Sequence, residues 1–74
     1  MNARAVVKAI KRHGGGLVRQ VGSHARYEAT YVRDDGTEGW VQTSVAMHPG
    51  DIPAGTLHAI EKDMEPAFGK GWLR

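Results

Sequence analysis

The chain has 74 residues, enough for one domain with a single small core. Hydrophobic residues make up 41% and charged residues 24%, a globular balance, and the lack of cysteine excludes a disulfide scaffold, a thiol nucleophile and a Cys-ligated zinc site. The net charge of +2 is unevenly spread, with seven Lys and Arg against one acid in residues 1–33 and three against seven in residues 34–74.

Residues 2–13 read as a helix. Asn2 suits its N-cap, Ala3, Val6, Val7 and Ile10 make one apolar stripe, and Lys8, Lys11 and Arg12 lie largely off it. The basic end suits the negative end of the helix dipole, and Gly14-Gly15-Gly16 supplies the stop. Leu17 to Val21 reads as a short strand, broken by Gly22-Ser23. Residues 24–33 alternate. Tyr27, Ala29 and Tyr31 point one way, and His24, Arg26, Glu28, Thr30 and Val32 point the other. Asp34-Asp35-Gly36 signals a hairpin, with glycine where a positive φ is expected. Trp40 to Met47 is the returning strand, with Val41, Val45 and Met47 on its apolar face and Thr43 interrupting it. Beyond Met47-His48-Pro49-Gly50, Pro53 suits the first turn of a second helix with a core stripe of Leu57, Ile60 and Met64. Gly55 in that turn points to a close backbone approach or a weakly held start. Pro66 is expected to end the helix, and the last residues, with Phe68 and Trp72 among glycines, have no assignment.

This order predicts a two-layer α+β sandwich, helix-strand-strand-strand-helix, with three antiparallel strands and both helices on one face. The other sheet face is then open to solvent or to a partner. No apolar run is long enough for a membrane span or a secretory signal, so a cytoplasmic location without membrane association is expected.

A basic half on a small domain is the footprint of a polyanion binder; the plainer alternative is a solvated helix face plus scattered arginines. No two of the four histidines stand at metal-ligand spacing, and no metal site is expected. His13 suits a helix C-terminal cap, His58 a solvated helix face, and His48 a structural place in the loop before Pro49. His24 differs. It follows Gly22-Ser23 at the start of a strand and is flanked by Arg19 and Arg26. Imidazole titrates near neutrality, so it can take a proton from a ribose 2′-hydroxyl while arginines hold the phosphate; the alternative is a turn with a surface histidine. Tyr27, Tyr31 and Trp40 are expected to pack against the helices or a partner rather than stack on bases.

The string Leu17-Val18-Arg19-Gln20-Val21-Gly22-Ser23-His24-Ala25-Arg26-Tyr27 resembles the HicA family, small bacterial mRNA interferase toxins. The later string His48-Pro49-Gly50-Asp51-Ile52-Pro53-Ala54-Gly55-Thr56-Leu57-His58-Ala59-Ile60 resembles that family's His-Pro…Pro-x-Gly-Thr-Leu signature. The resemblance spans roughly residues 1–64 and leaves 65–74 as a C-terminal extension of unknown role. It implies a fold like a double-stranded-RNA-binding domain. It implies a ribonuclease acting on mRNA without metal or cofactor, with His24 as catalytic residue, and a HicB-type antitoxin that covers the active face. On this reading Lys8, Lys11, Arg12, Arg19, Gly22, Ser23 and Arg26 meet the RNA. The acidic segment from Asp34 to Glu38 departs from the basic hairpin of many members, and the tail ending Gly71-Trp72-Leu73-Arg74 runs past the usual end. Two other readings are a non-catalytic RNA-binding module of the same fold and a protein-interaction domain that uses its open sheet face.

Overall fold

The Asn2 side chain caps the first helix as its residue type suggests: Oδ1 accepts from the Ala5 amide at 2.9 Å. The computed structural model describes all residues, 1–74, in the order α1 (Ala3–Arg12), β1 (Gly16–Val21), β2 (His24–Val32), β3 (Glu38–Ala46) and α2 (Ala54–Phe68). Helix α1 ends at His13, whose Nδ1–H donates to the Ala9 carbonyl at 2.9 Å, and Gly14 then turns the chain with a φ of +96°. The sheet is antiparallel in the order β1-β2-β3, which makes β2 central.

Both helices cover one face, and the core lies between the layers. Ala3, Val6, Ala9 and Ile10 of α1 and Ile60 and Met64 of α2 bury against Ala25, Tyr27 and Ala29 of β2 and Val45 of β3. The α+β sandwich expected from the sequence is therefore the observed fold. Thr43 interrupts the apolar face of β3 without leaving a polar orphan, because its buried hydroxyl donates to Asp63 Oδ2 on α2 at 2.9 Å. Tyr31 lies over Gly39, its partner on β3, where a Cβ would strike the ring. That glycine is needed for close approach rather than for a turn.

The β2–β3 hairpin turns at Gly36, with a φ of +87°. Asp35 Oδ1 accepts from the Thr37 hydroxyl at 2.6 Å and from the Thr37 amide at 3.0 Å. The hydroxyl first, and the amide with it, hold the Asp35 carboxyl below its ordinary range.

Three expectations for the C-terminal half change. Pro53 is the N-cap of α2 rather than a first-turn residue, with its carbonyl accepting from Leu57. A Cβ on Gly55 would meet nothing, which removes the close-approach reading. Pro66 does not end α2; the helix runs on to Phe68. In the last turn, proline forfeits one hydrogen bond, to an exposed stretch of helix, and packing beyond it outweighs that loss. Phe68 and Trp72 meet edge-on at 4.9 Å, and the His13 ring lies 5.4 Å from Phe68 and 5.7 Å from Trp72. Trp72 and Leu73 are buried, the Trp72 indole N–H donates to the Glu61 carbonyl at 2.8 Å, and Arg74 pairs with the buried Glu61 carboxylate at 3.4 Å. The unassigned tail is thus a clasp that joins the end of α1 to α2. No helix is long and apolar enough to cross a membrane.

Trp72→Ala is expected to lower stability by about 3–5 kcal/mol, a large share of the total for so short a chain. Trp72→Phe keeps most of the ring and should lose nearer 1 kcal/mol with the indole hydrogen bond. Denaturant melts of the two variants measure the difference.

Candidate active site

The β1–β2 connection is two residues, Gly22 and Ser23, with Gly22 at a φ of +60°. Val21 pairs with His24 across it, and His24 pairs with Ala46 on the other side. Ala25 is buried beneath the helices, so its neighbours along β2 emerge on the opposite, open face. His24 and Arg26 stand there together, with His24 exposed at the hairpin end and Arg26 one pleat further in.

Strand β1 would not place Arg19 on that face if it were regular. Leu17 pairs with the core residue Tyr27, and two residues on, Arg19 would share its side of the sheet. The register shifts between Leu17 and Arg19, and the extra residue, Val18, turns Arg19 to pair with Arg26. One bulge thus converts a single arginine beside His24 into two. Such a close cationic pair favours an anion between or above it.

The Arg26 side chain is held in place. Its Nε–H donates to Gln42 Oε1 at 2.7 Å and its Nη1 to Ser44 Oγ at 2.8 Å, which fixes the guanidinium and leaves other N–H donors free. Trp40 lies further along the same face, half exposed, with its indole N–H on Glu28 Oε2 at 2.7 Å. Tyr27 is in the core, as expected, whereas Trp40 does not pack on the helices.

The end of β3 closes this region. The Met47 amide donates to the Ser23 carbonyl at 2.6 Å, which joins the strand's exit to the hairpin turn. His48 follows, and its ring stands 6.5 Å from that of His24 at 81°. Neither imidazole hydrogen-bonds to another protein group. Sequence reasoning gave His48 a structural place in its loop. In sequence 24 positions separate it from His24, and only the register of β3 on β2 brings the two rings together.

The structure divides the predicted RNA-binding residues. Arg19, Gly22, Ser23 and Arg26 surround His24 on the sheet and its hairpin. Lys8 and Lys11 belong to the helix layer, where with Arg4, Ala5 and Val7 they line a cleft beside Met47. Arg12 is exposed at the end of α1 and lies outside that cleft. Arg4 and Met47 also line the adjoining cleft of about 200 Å³ with His48, Pro49 and Gly50. Met47 and His48 therefore lie between the helix cations and the sheet site. No group of three His, Asp or Glu side chains converges as a metal site.

The sequence model of the HicA toxin of bacterial toxin–antitoxin systems matches residues 3–65. The chain belongs to the HicA toxin family. No curated protein and no solved structure gives a match. As a HicA-family chain it is the toxin of a toxin–antitoxin pair. The match takes in α1, all three strands and most of α2, so the whole His24 face lies inside it. The clasp residues Trp72, Leu73 and Arg74 lie beyond it.

The hairpin that presents His24 in this HicA-family toxin depends on Gly22. A Cβ there meets no atom, so substitution costs backbone conformation alone. Gly22→Ala should destabilise the protein by about 1–2 kcal/mol, and Gly22→Asn by less, since asparagine tolerates the left-handed region; thermal or denaturant melts of both check this.

Proposed function

We propose that this toxin is an endoribonuclease that binds mRNA and cleaves it with His24, in the cytoplasm, and that a HicB-type antitoxin neutralises it by covering the His24 face. The observation that carries this reading is the arrangement at the hairpin end: an exposed, unbonded imidazole beside two arginines that a β-bulge brings into register.

RNA carries its own nucleophile. The ribose 2′-hydroxyl attacks the adjacent phosphorus, the P–O2′ bond forms and the P–O5′ bond breaks, leaving a 2′,3′-cyclic phosphate and a 5′-hydroxyl. The protein must move protons and stabilise the added negative charge. His24 transfers a proton at the scissile phosphate. Arg26, fixed by Gln42 and Ser44, and Arg19 beside it meet the non-bridging oxygens. Preorganisation matters because a guanidinium already in place does not have to reorganise when the charge develops.

The helix cations Arg4, Lys8 and Lys11 extend the surface for the RNA backbone beyond the site. Such contacts supply affinity without sequence information and weaken steeply with salt. The α-β-β-β-α order is also that of the double-stranded-RNA-binding domain, which supports RNA as the polyanion. The antitoxin follows from the family: a toxin of this class needs a partner, and the open sheet face is the surface on which masking would abolish cleavage.

His24→Ala is expected to lower RNA cleavage by about 10²–10⁴-fold, because a proton-transfer group is lost. RNA affinity should persist, because every arginine and lysine remains. Purified wild type and variant, compared for cleavage of a labelled transcript and for binding by fluorescence anisotropy, test both halves. Cleavage by the variant at the wild-type rate overturns the assignment.

A further inference from the structure

Cleavage by transesterification moves two protons. One leaves the 2′-oxygen as it attacks, and another must reach the 5′-oxygen as it departs. His24 accounts for one of these transfers, and this inference rests on that proposed chemistry. We infer that His48 is the group that performs the other.

The neighbours of His24 leave few alternatives. Arg19 and Arg26 offer guanidinium groups, which are hydrogen-bond donors without an acceptor and do not serve as a base. Tyr27 is buried on the opposite, core face of β2. Ser23 is half-buried at the turn, and a hydroxyl is a poor acid or base near neutrality. Glu28 is two pleats from His24 and accepts from the Trp40 indole. His48 is a second imidazole, exposed, free of protein hydrogen bonds and 6.5 Å from His24 ring to ring.

That spacing has a chemical meaning. The two rings are too far apart to bond one another. Each is near enough to reach, over a hydrogen bond of about 2.6–3.2 Å, a different oxygen of one phosphate held between them. Their planes stand at 81°, so the rings are edge-to-face rather than stacked and leave room for a group between them. A displacement in which one oxygen enters as another leaves needs such a division, with the acceptor and the donor at different oxygens. One imidazole enters neutral and takes the 2′ proton; the other enters protonated and gives its proton to the 5′-oxygen. Proton exchange with water resets the pair.

His48 is also held in place. Met47, the residue before it, is tied to the Ser23 carbonyl, and Ser23 directly precedes His24. On the other side come Pro49, with its fixed φ, and Gly50 at a φ of +91°. The loop then docks on the N-terminus through Ile52 N–H to the Met1 carbonyl at 2.8 Å and a bridge between Asn2 and Asp51. A loop anchored at both ends suits a side chain that must keep its distance from a partner. The charged groups around the pair are Arg19 and Arg26 on the sheet, Arg4 from α1, which lines a cleft with His48, and Asp51 from the loop, which takes the N-terminal ammonium at 3.4 Å.

The test uses single-turnover cleavage of a dinucleotide by wild type, His24→Ala, His48→Ala and the double variant, over a range of pH. Each single variant should lose about 10²–10⁴-fold. The wild-type pH–rate profile should show two limbs, with each variant losing a different one. The double variant should be little worse than the poorer single one, because the two groups act as a unit. A second substrate with a p-nitrophenyl leaving group needs no proton on departure, so it should restore one of the two single variants and not the other. A His48→Ala variant that cleaves at the wild-type rate, or is slowed with both pH limbs intact and no change in leaving-group dependence, overturns this inference while the His24 assignment stands. A wild type that cuts no RNA overturns both.

Discussion

The two-residue period of β2 governs this protein. It is the central strand, and Ala25, Tyr27 and Ala29 point into the core beneath both helices. With those positions inward, His24, Arg26 and Glu28 have no choice but the open face. The residues that stabilise the fold and those that form the candidate site therefore alternate along one segment. A shift of one residue in the pairing would bury an arginine and a histidine and expose a tyrosine, so hydrophobic burial itself fixes the geometry of the site.

Around this strand, small local devices finish the site. Gly22 lets the hairpin close in two residues, so that His24 begins β2 at the sheet's end. The bulge at Val18 turns Arg19 to the same face. The Met47 amide bonds to Ser23 and thereby ties the loop carrying His48 to the turn carrying His24. All of these depend on backbone hydrogen bonding and glycine conformation rather than on long side chains. That suits a domain with so small a core, in which rigidity must come from the backbone. The clasp of Trp72, Leu73 and Arg74 secures the end of α1 against α2.

Much of this was legible in the sequence, for physical reasons. The element order followed from periodicity: the apolar stripe of α1, the alternation from His24 to Val32, and glycine or proline at the breaks. His24 stood out because a glycine turn, a strand start and flanking arginines coincide. What was not legible was decided by contacts distant in sequence. The local rule at Pro66 predicted a stop, but Phe68 and Trp72 pack on one another and on His13, and the helix continues. The bulge leaves no local signature, so the face of Arg19 was set only by pairing. His48 beside His24 is a consequence of β3 register. The basic first half of the chain divides between α1, which carries Arg4, Lys8, Lys11 and Arg12, and the open sheet face, which carries Arg19 and Arg26, with Met47 and His48 between them.

On the proposed mechanism the toxin's effect is made by the imidazole at the hairpin end. Paired induction of wild type and His24→Ala in a bacterial host, with growth and messenger integrity followed together, tests it most directly. Arrest and loss of mRNA are expected with the wild type alone. An equal effect from the two proteins, both folded and equally abundant, would contradict it.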